Sequence, residues 1–386
     1  MISASAFCIV IISYVFQNTR KPIAVIQRRF YTPTKIIIKT EKLKPHRHSI
    51  DDGCRSFFDY YADLHYLCIK FTPTNRMTNE NNHSNATLGA QPTLATTALR
   101  VAITLLSHIP FCVLYVLSDI IYFPLYYVVR YRRKVVRKNL VESFPEKSLG
   151  EVIELEKKFY HSFIDISLES CKMMSISRDE ICRRIIFEGV ELANAMLRKG
   201  QNVGLFMGHF GNWEWVASMA LWLWNGAVAA QIYHRLRNSP MDCVMKQMRE
   251  RFGSVCVEMH DTVRFVRDMQ SMGKTNIIGF IADQSPKLRE SKHFVDFMNH
   301  STPVLTGSEK VMKRYGYQAV FLGVQRVKRG YYECRISSLH HNAPELPDFE
   351  LTRLYFEKLE EEIKQNPELY LWTHNRFKHA RELETE

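Results

Sequence analysis

The sequence predicts an α/β protein built on a partly parallel sheet flanked by helices, with a membrane-associated helix on its N-terminal side. Three observations carry that expectation. From residue 151 onward, short apolar runs bounded by glycine or polar residues alternate with stretches of helical spacing. Two of those runs end beside a residue suited to acid–base chemistry, His209 and Asp283. Further upstream, residues 101–129 carry one charge, Asp119, and a cluster of arginines and lysines comes directly after them.

Residues 1–76 are unlike the rest. The apolar run 4–16 is shorter than the ~20 residues that a membrane span takes, and it lacks the basic start and small-residue cleavage site of a secretory signal. Twelve Lys/Arg against five Asp/Glu place more than half of the net charge of +12 here. The segment is expected to be an atypical extension, either upstream of the true start at Met77 or a genuine disordered or membrane-touching arm. A polar linker, 77–97, separates it from the apolar segment.

Residues 101–129 are long enough to cross a bilayer, but Asp119, Pro110 and Pro124 argue against a plain lipid-exposed helix, because a charge at mid-membrane costs at least ~2.5 kcal/mol. Two readings stand: a short span over 101–117, or an interfacial helix or hairpin lying on the protein's own apolar face. A buried helix of a soluble core is the third. In the first two, the cluster Arg130, Arg132, Arg133, Lys134, Arg137 and Lys138 lies on the cytoplasmic side. The segment 98–138 is thus assigned to the membrane, 139–380 to a single catalytic domain and 381–386 to a tail.

Within that domain the patterns predict helices over 155–174, 213–223, 241–252 and 351–365, and strands over 202–207, 276–282, 318–325 and 331–337. The basic balance implies an acidic partner: anionic membrane, phosphorylated lipid, acidic carrier protein or nucleic acid. Nucleic acid ranks last, since no helix-turn-helix, RNP-type aromatic pattern or Cys/His finger is present. The nine cysteines are scattered without a Cys-x-x-Cys pair, which suggests neither a zinc site nor a disulfide framework.

The chemistry concentrates in Gly208-His209-Phe210-Gly211-Asn212-Trp213-Glu214, where a strand is expected to meet a helix. A neutral imidazole there can take a proton from a hydroxyl, with a carboxylate to hold its tautomer. His209 is the candidate base and Glu214 the candidate orienter. The alternative is a core histidine beside a helix-terminal glutamate, favourable through the helix dipole alone. Asp283 comes after another strand, so it is expected in the same cleft beyond the strands' carboxyl ends. No Gly-x-Ser-x-Gly elbow occurs and no cysteine lies near the motif, so direct attack by an acceptor hydroxyl is the economical mechanism.

With Phe-Gly-Asn-Trp between the His and the Glu, the segment resembles the signature of the lysophospholipid acyltransferase superfamily, in its branch of bacterial lipid A late acyltransferases (lauroyl and myristoyl transferases). The stretch 132–140 with Ser143-Phe144-Pro145-Glu146, the loop 233–238, Asp283-Gln284, Thr302-Pro303 with Gly307, and Leu371-Trp372-x-His374-x-Arg376 resemble further segments of that family in its order. The likeness spans roughly residues 100–380. One departure is Phe297-Met298-Asn299, where the family often carries Phe-Phe-Gly.

The resemblance implies a glycerolipid-acyltransferase-like fold and transfer of a fatty acyl chain from acyl carrier protein to a hydroxyl of a lipid A precursor, without cofactor or metal. The setting it implies is the cytoplasmic face of a bacterial inner membrane. Arg235 is the candidate for charge near the cleft, with Arg237 and Arg249 as decoys. Gly208 and Gly211 are expected to let the backbone approach a ligand and to lend amides to an oxyanion hole. Phe210 and Trp213 are expected to wall an acyl channel, while Asn212, Gln284 and Thr302 complete the substrate-binding set. Lys287, Arg289 and Lys292 suit a phosphate on the acceptor. The rival readings are transfer to a glycerophospholipid or amino lipid, a metal-dependent hydrolase, and a catalytically silent scaffold.

Overall fold

A computed structural model describes residues 93–381 apart from 288, 290, 291, 341 and 342. The expected extension 1–76 and most of the linker 77–97 lie outside the described residues.

Two apolar helices come first, α1 (Leu94–His108) and α2 (Phe111–Phe123). The hydroxyl of Thr93 caps α1 by accepting from the Thr96 amide. Pro110, the N-cap of α2, has no N–H to continue α1. Residues 101–117 are therefore not one helix, and the short span expected there is not formed. Pro124 likewise removes a ladder donor, and α2 passes into a π-helical stretch, Pro124–Val129. Arg130 and Arg132, both left-handed, then turn the chain into α3 (Arg133–Ser143).

The long α4 (Leu149–Lys172) opens with a capping box formed by Ser148 and Glu151. After it come α5 (Arg178–Arg184), β1 (Ile185–Glu188), α6 (Val190–Arg198), β2 (Val203–Met207), a 3-10 segment (Trp215–Leu221) and β3 (Val228–Tyr233). Next are α7 (Ser239–Glu250), β4 (Val255–Glu258), α8 (Thr262–Ser271), β5 (Asn276–Ile281), β6 (Phe294–Phe297) and β7 (His300–Pro303). The chain closes with α9 (Gly307–Tyr315), β8 (Gln318–Lys328), β9 (Tyr331–His340) and α10 (Glu350–Gln365).

Seven strands form one sheet in the order β1-β9-β8-β2-β5-β3-β4, and every pairing is parallel except the β8–β9 hairpin. All five residues of β2 are buried, as befits a central parallel strand covered on both faces. The expected helix over 213–223 is instead the shorter 3-10 segment. The hairpin β6–β7 turns through Met298 and Asn299, both at positive φ, the geometry of a I′ turn. This is the Phe-Met-Asn departure: Asn299 meets the left-handed demand that glycine meets elsewhere, and the Met298 amide is tied down by Glu360 Oε2 at 2.7 Å.

The charge inside the apolar segment has a partner. Arg329, at the β8–β9 turn, donates to Asp119 at 2.7 and 3.1 Å and to Asp165 of α4 at 2.6 and 2.7 Å. Asp165 is buried and also accepts from Ser118 of α2 at 2.6 Å. Removing one member of a buried pair costs about 3–5 kcal/mol. Because the guanidinium is 35% exposed and only Asp165 is buried, Arg329→Met is expected to lower the unfolding free energy by less, about 1–3 kcal/mol, read by urea denaturation in detergent, while Arg329→Lys loses less still.

Candidate active site

The site arises from strand register. β2 and β5 are parallel neighbours with Met207 opposite Ile281, so two residues further on His209 meets Asp283. His209 Nδ1 lies 2.6 Å from Asp283 Oδ1, and the His209 amide donates to Oδ2 at 3.0 Å. One carboxylate thus holds the ring and its own backbone together. Nδ1–H faces Asp283, which leaves the Nε2 lone pair outward, 3.1 Å from the Gln284 amide nitrogen. Burial alone would raise the Asp283 pKa, but the charge and hydrogen bonds of His209 outweigh it and hold the carboxyl below its ordinary range.

β3 flanks β5 on its other side, with Gln231 opposite Gly279. Arg235 lies two residues past the end of β3, in the loop before α7. The Arg235 side chain is 63% exposed, and its carboxylate neighbour is Asp242, at 3.9 Å. It makes no hydrogen bond with His209, Asp283 or Glu214. Lys287, Arg289 and Lys292 are exposed in the loop after Gln284.

Glu214 does not meet the imidazole, contrary to expectation. It is buried and accepts both Arg249 hydrogen bonds, at 2.7 and 2.8 Å, because the chain turns through Gly211 and carries Glu214 beneath α7. Arg249, taken from sequence as a decoy, is its partner. Although burial works against the guanidinium's charge, the Glu214 charge raises its pKa.

The glycines have steric reasons. A Cβ at Gly208 would stand 2.4 Å from Leu359 Cδ1, and one at Gly211, where φ is +57°, would stand 2.6 Å from Val324 Cγ1. The Gly211 amide donates to Leu369 O at 3.0 Å and Leu371 N donates to His209 O at 3.1 Å, while Phe210 bridges Tyr370. Gly211 thus has no amide to offer an oxyanion, contrary to expectation.

Phe210, Asn212 and Thr302, expected at the substrate, are buried framework residues. Asn212 donates to Glu169 Oε2 at 3.0 Å, and Thr302 Oγ1 accepts from Arg376 at 2.8 Å. Glu169 also accepts from Tyr332 at 2.6 Å and Tyr115 at 3.0 Å, and burial raises its pKa. Trp213 and Gln284 do stand at the ring: the Trp213 indole meets His209 edge-on at 5.4 Å and lines a narrow, mainly apolar pocket with Phe159, Phe163 and Ile166.

Sequence reasoning gave no role to His374, although its block was noticed. Asn139 positions that block by donating to the carbonyls of Trp372 and His374 at 2.9 and 2.8 Å. His374 Nδ1 is sealed without a partner, and burial pushes the ring pKa down to about 3.

These segments belong together in known proteins as well. The sequence profile described as bacterial lipid A biosynthesis acyltransferase matches residues 90–379. The chain belongs to that family. It is accordingly an acyltransferase acting on lipid A, and enzymes of this family are membrane-associated. A search of curated proteins by sequence returns no match. Among the described residues of this acyltransferase, no three His, Cys, Asp or Glu side chains converge as a metal site requires.

His374 sets an expectation for stability. Its folded pKa of about 3 lies below the ~6.5 of an unfolded histidine, so the unfolded chain takes up the proton first. Stability is full above ~6.5 and falls with pH; at pH 5 the loss from this group is about 2 kcal/mol. Asp283, shifted from a lower ordinary value, loses its contribution only below ~4. Denaturant midpoints between pH 7 and 5 should fall in the parent and fall less steeply in His374→Gln.

Proposed function

We propose that this acyltransferase moves a fatty acyl group from the thioester of acyl carrier protein to a hydroxyl of a lipid A precursor, with His209 as general base and Asp283 as its orienter. The observation that carries this reading is the double hold of Asp283 on His209, at 2.6 and 3.0 Å. It fixes the neutral tautomer whose Nε2 accepts a proton, and the negative carboxylate stabilises the imidazolium that results. The acceptor hydroxyl takes the place of the Gln284 amide at Nε2.

The hydroxyl oxygen then attacks the thioester carbonyl as its proton passes to Nε2. Collapse of the tetrahedral intermediate expels the carrier thiolate, which recovers the proton from His209. No covalent acyl-enzyme is required. Arg235, exposed in the loop after β3, supplies positive charge near the cleft, and Lys287, Arg289 and Lys292 receive an acceptor phosphate. The exposed cations after α2 support a location on the cytoplasmic face of a bacterial inner membrane, and no cofactor takes part.

Purified enzyme with labelled acyl carrier protein and a lipid A precursor tests this. His209→Ala should abolish acylated product, and Asp283→Asn should lower kcat about 10³–10⁴-fold, as the wrong tautomer does in a triad. Glu214→Gln, which leaves buried Arg249 unpaired, should act chiefly on stability. Equal losses of kcat in folded Asp283 and Glu214 variants would return the orienting role to Glu214, and full turnover by His209→Ala would remove the base.

A further inference from the structure

The helix α2 has two unlike faces. Its inward face is clamped to the catalytic domain along its whole length. Arg184 stacks on the Phe111 ring at 3.5 Å, Tyr115 donates to buried Glu169, Ser118 donates to Asp165, Arg329 grips Asp119, and Tyr122 stacks on His161 at 3.7 Å. Lys172 adds hydrogen bonds to the carbonyls of Ser107 and Ile109 at the break before α2.

The outward face consists of Val113, Val116, Ile120, Phe123 and Tyr127, all exposed. Their three- and four-residue spacing makes one continuous stripe, and exposed Val128 and Val129 extend it. α1 carries exposed apolar residues at seven- and four-residue spacing, Leu94, Val101 and Leu105. Contiguous exposed apolar surface of this kind marks an interaction site. Exposed Arg130, Arg132 and Lys134 border the end of the α2 stripe, which gives the surface a positive edge.

The segment Phe111–Val129 is long and apolar enough to cross a membrane by length and composition. The clamps forbid it. Because Arg184, Glu169, Asp165, Arg329 and His161 contact successive turns of α2, a crossing helix would draw all of them into hydrocarbon, where each charge costs at least ~2.5 kcal/mol. The 13 α-helical residues also reach only about 20 Å, against a core of ~30 Å.

We infer that α2 lies flat in a single leaflet, its outward stripe among the acyl chains, its clamped face on the enzyme, and its basic border on anionic headgroups. The attachment by this helix is thus monotopic, a mode that membrane association alone does not specify, and the inference is independent of the catalytic reading.

Depth measurement decides it. Single bimane-labelled cysteines are placed at Val113, Ile120 and Tyr127 of the full chain, with Cys8, Cys54, Cys68, Cys112, Cys182 and Cys243 replaced by serine. Quenching is read with lipids brominated at graded depths, in vesicles of phosphatidylethanolamine and phosphatidylglycerol. A flat helix puts all three labels at one shallow depth, about 5–10 Å below the headgroups. Val113 and Tyr127 near opposite interfaces with Ile120 at the centre would mean a crossing helix and would overturn the inference. Unquenched labels on vesicle-bound protein would also overturn it, pointing to a protein partner on this face. Val116→Glu combined with Ile120→Glu, both on the exposed face, should weaken vesicle binding at least ~10-fold without changing the circular dichroism spectrum. Unchanged binding by the folded double variant would count against lipid contact.

Discussion

The arrangement of the site depends on one carboxylate. Asp283 holds the imidazole of His209 with one oxygen and the amide of the same residue with the other, so ring orientation and loop position are set by a single group. That grip exists because β2 and β5 run parallel with Met207 opposite Ile281. A slip of one residue would turn the side chains of one strand to the opposite face and separate the pair. Much of the surrounding structure keeps the two loops in place. Gly208 gives Leu359 room to pack, the segment at Leu369 and Leu371 hydrogen-bonds to the histidine loop, and Asn139 fixes the chain just beyond.

The motif's own polar residues support the loop from beneath. Glu214 anchors Arg249, and Asn212 reaches Glu169, which also receives the hydroxyls of Tyr332 and Tyr115. Buried polar groups are tolerated when fully hydrogen-bonded, and such networks make a loop conformation unique. Tyr115 belongs to α2, so the helix assigned here to the membrane and the loop that carries His209 share a buried carboxylate. The membrane-facing helix and the histidine loop are thus tied to one framework through Glu169 of α4.

How much of this was legible depends on range. The apolar runs ending near His209 and Asp283 were readable because a buried parallel strand has to be continuously apolar, and the Gly-His-x-Gly pattern marked the turn. The short strands β3 and β4 and the β6–β7 hairpin carry too little periodicity to stand out, and α5, α6, α8 and α9, of 7 to 10 residues, are too short to be told from other apolar runs. Trp213 and Gln284, both expected at the substrate, stand at the His209 ring. Phe210, Asn212 and Thr302 do not, since nothing local distinguishes a side chain pointing into a cleft from one pointing into the core. Asp119 drew attention as a charge in an apolar run, but its partner Arg329 is remote in the chain and had no signature.

By itself the sequence determined the family, the α/β class, the positions of the two strand-end residues and an apolar segment bordered by cations, all of which are local patterns of residue type and spacing. Only the tertiary structure decided which carboxylate meets the imidazole. Sequence proximity favoured Glu214, but five residues of loop turn it away, whereas strand register brings Asp283 in from 74 residues further along. The same holds for α2: composition alone suits a membrane span, and the charged groups that clamp its inner face come from α4, α5 and the β8–β9 turn. Pairings of that kind are set by the path of the backbone, which no window of sequence contains.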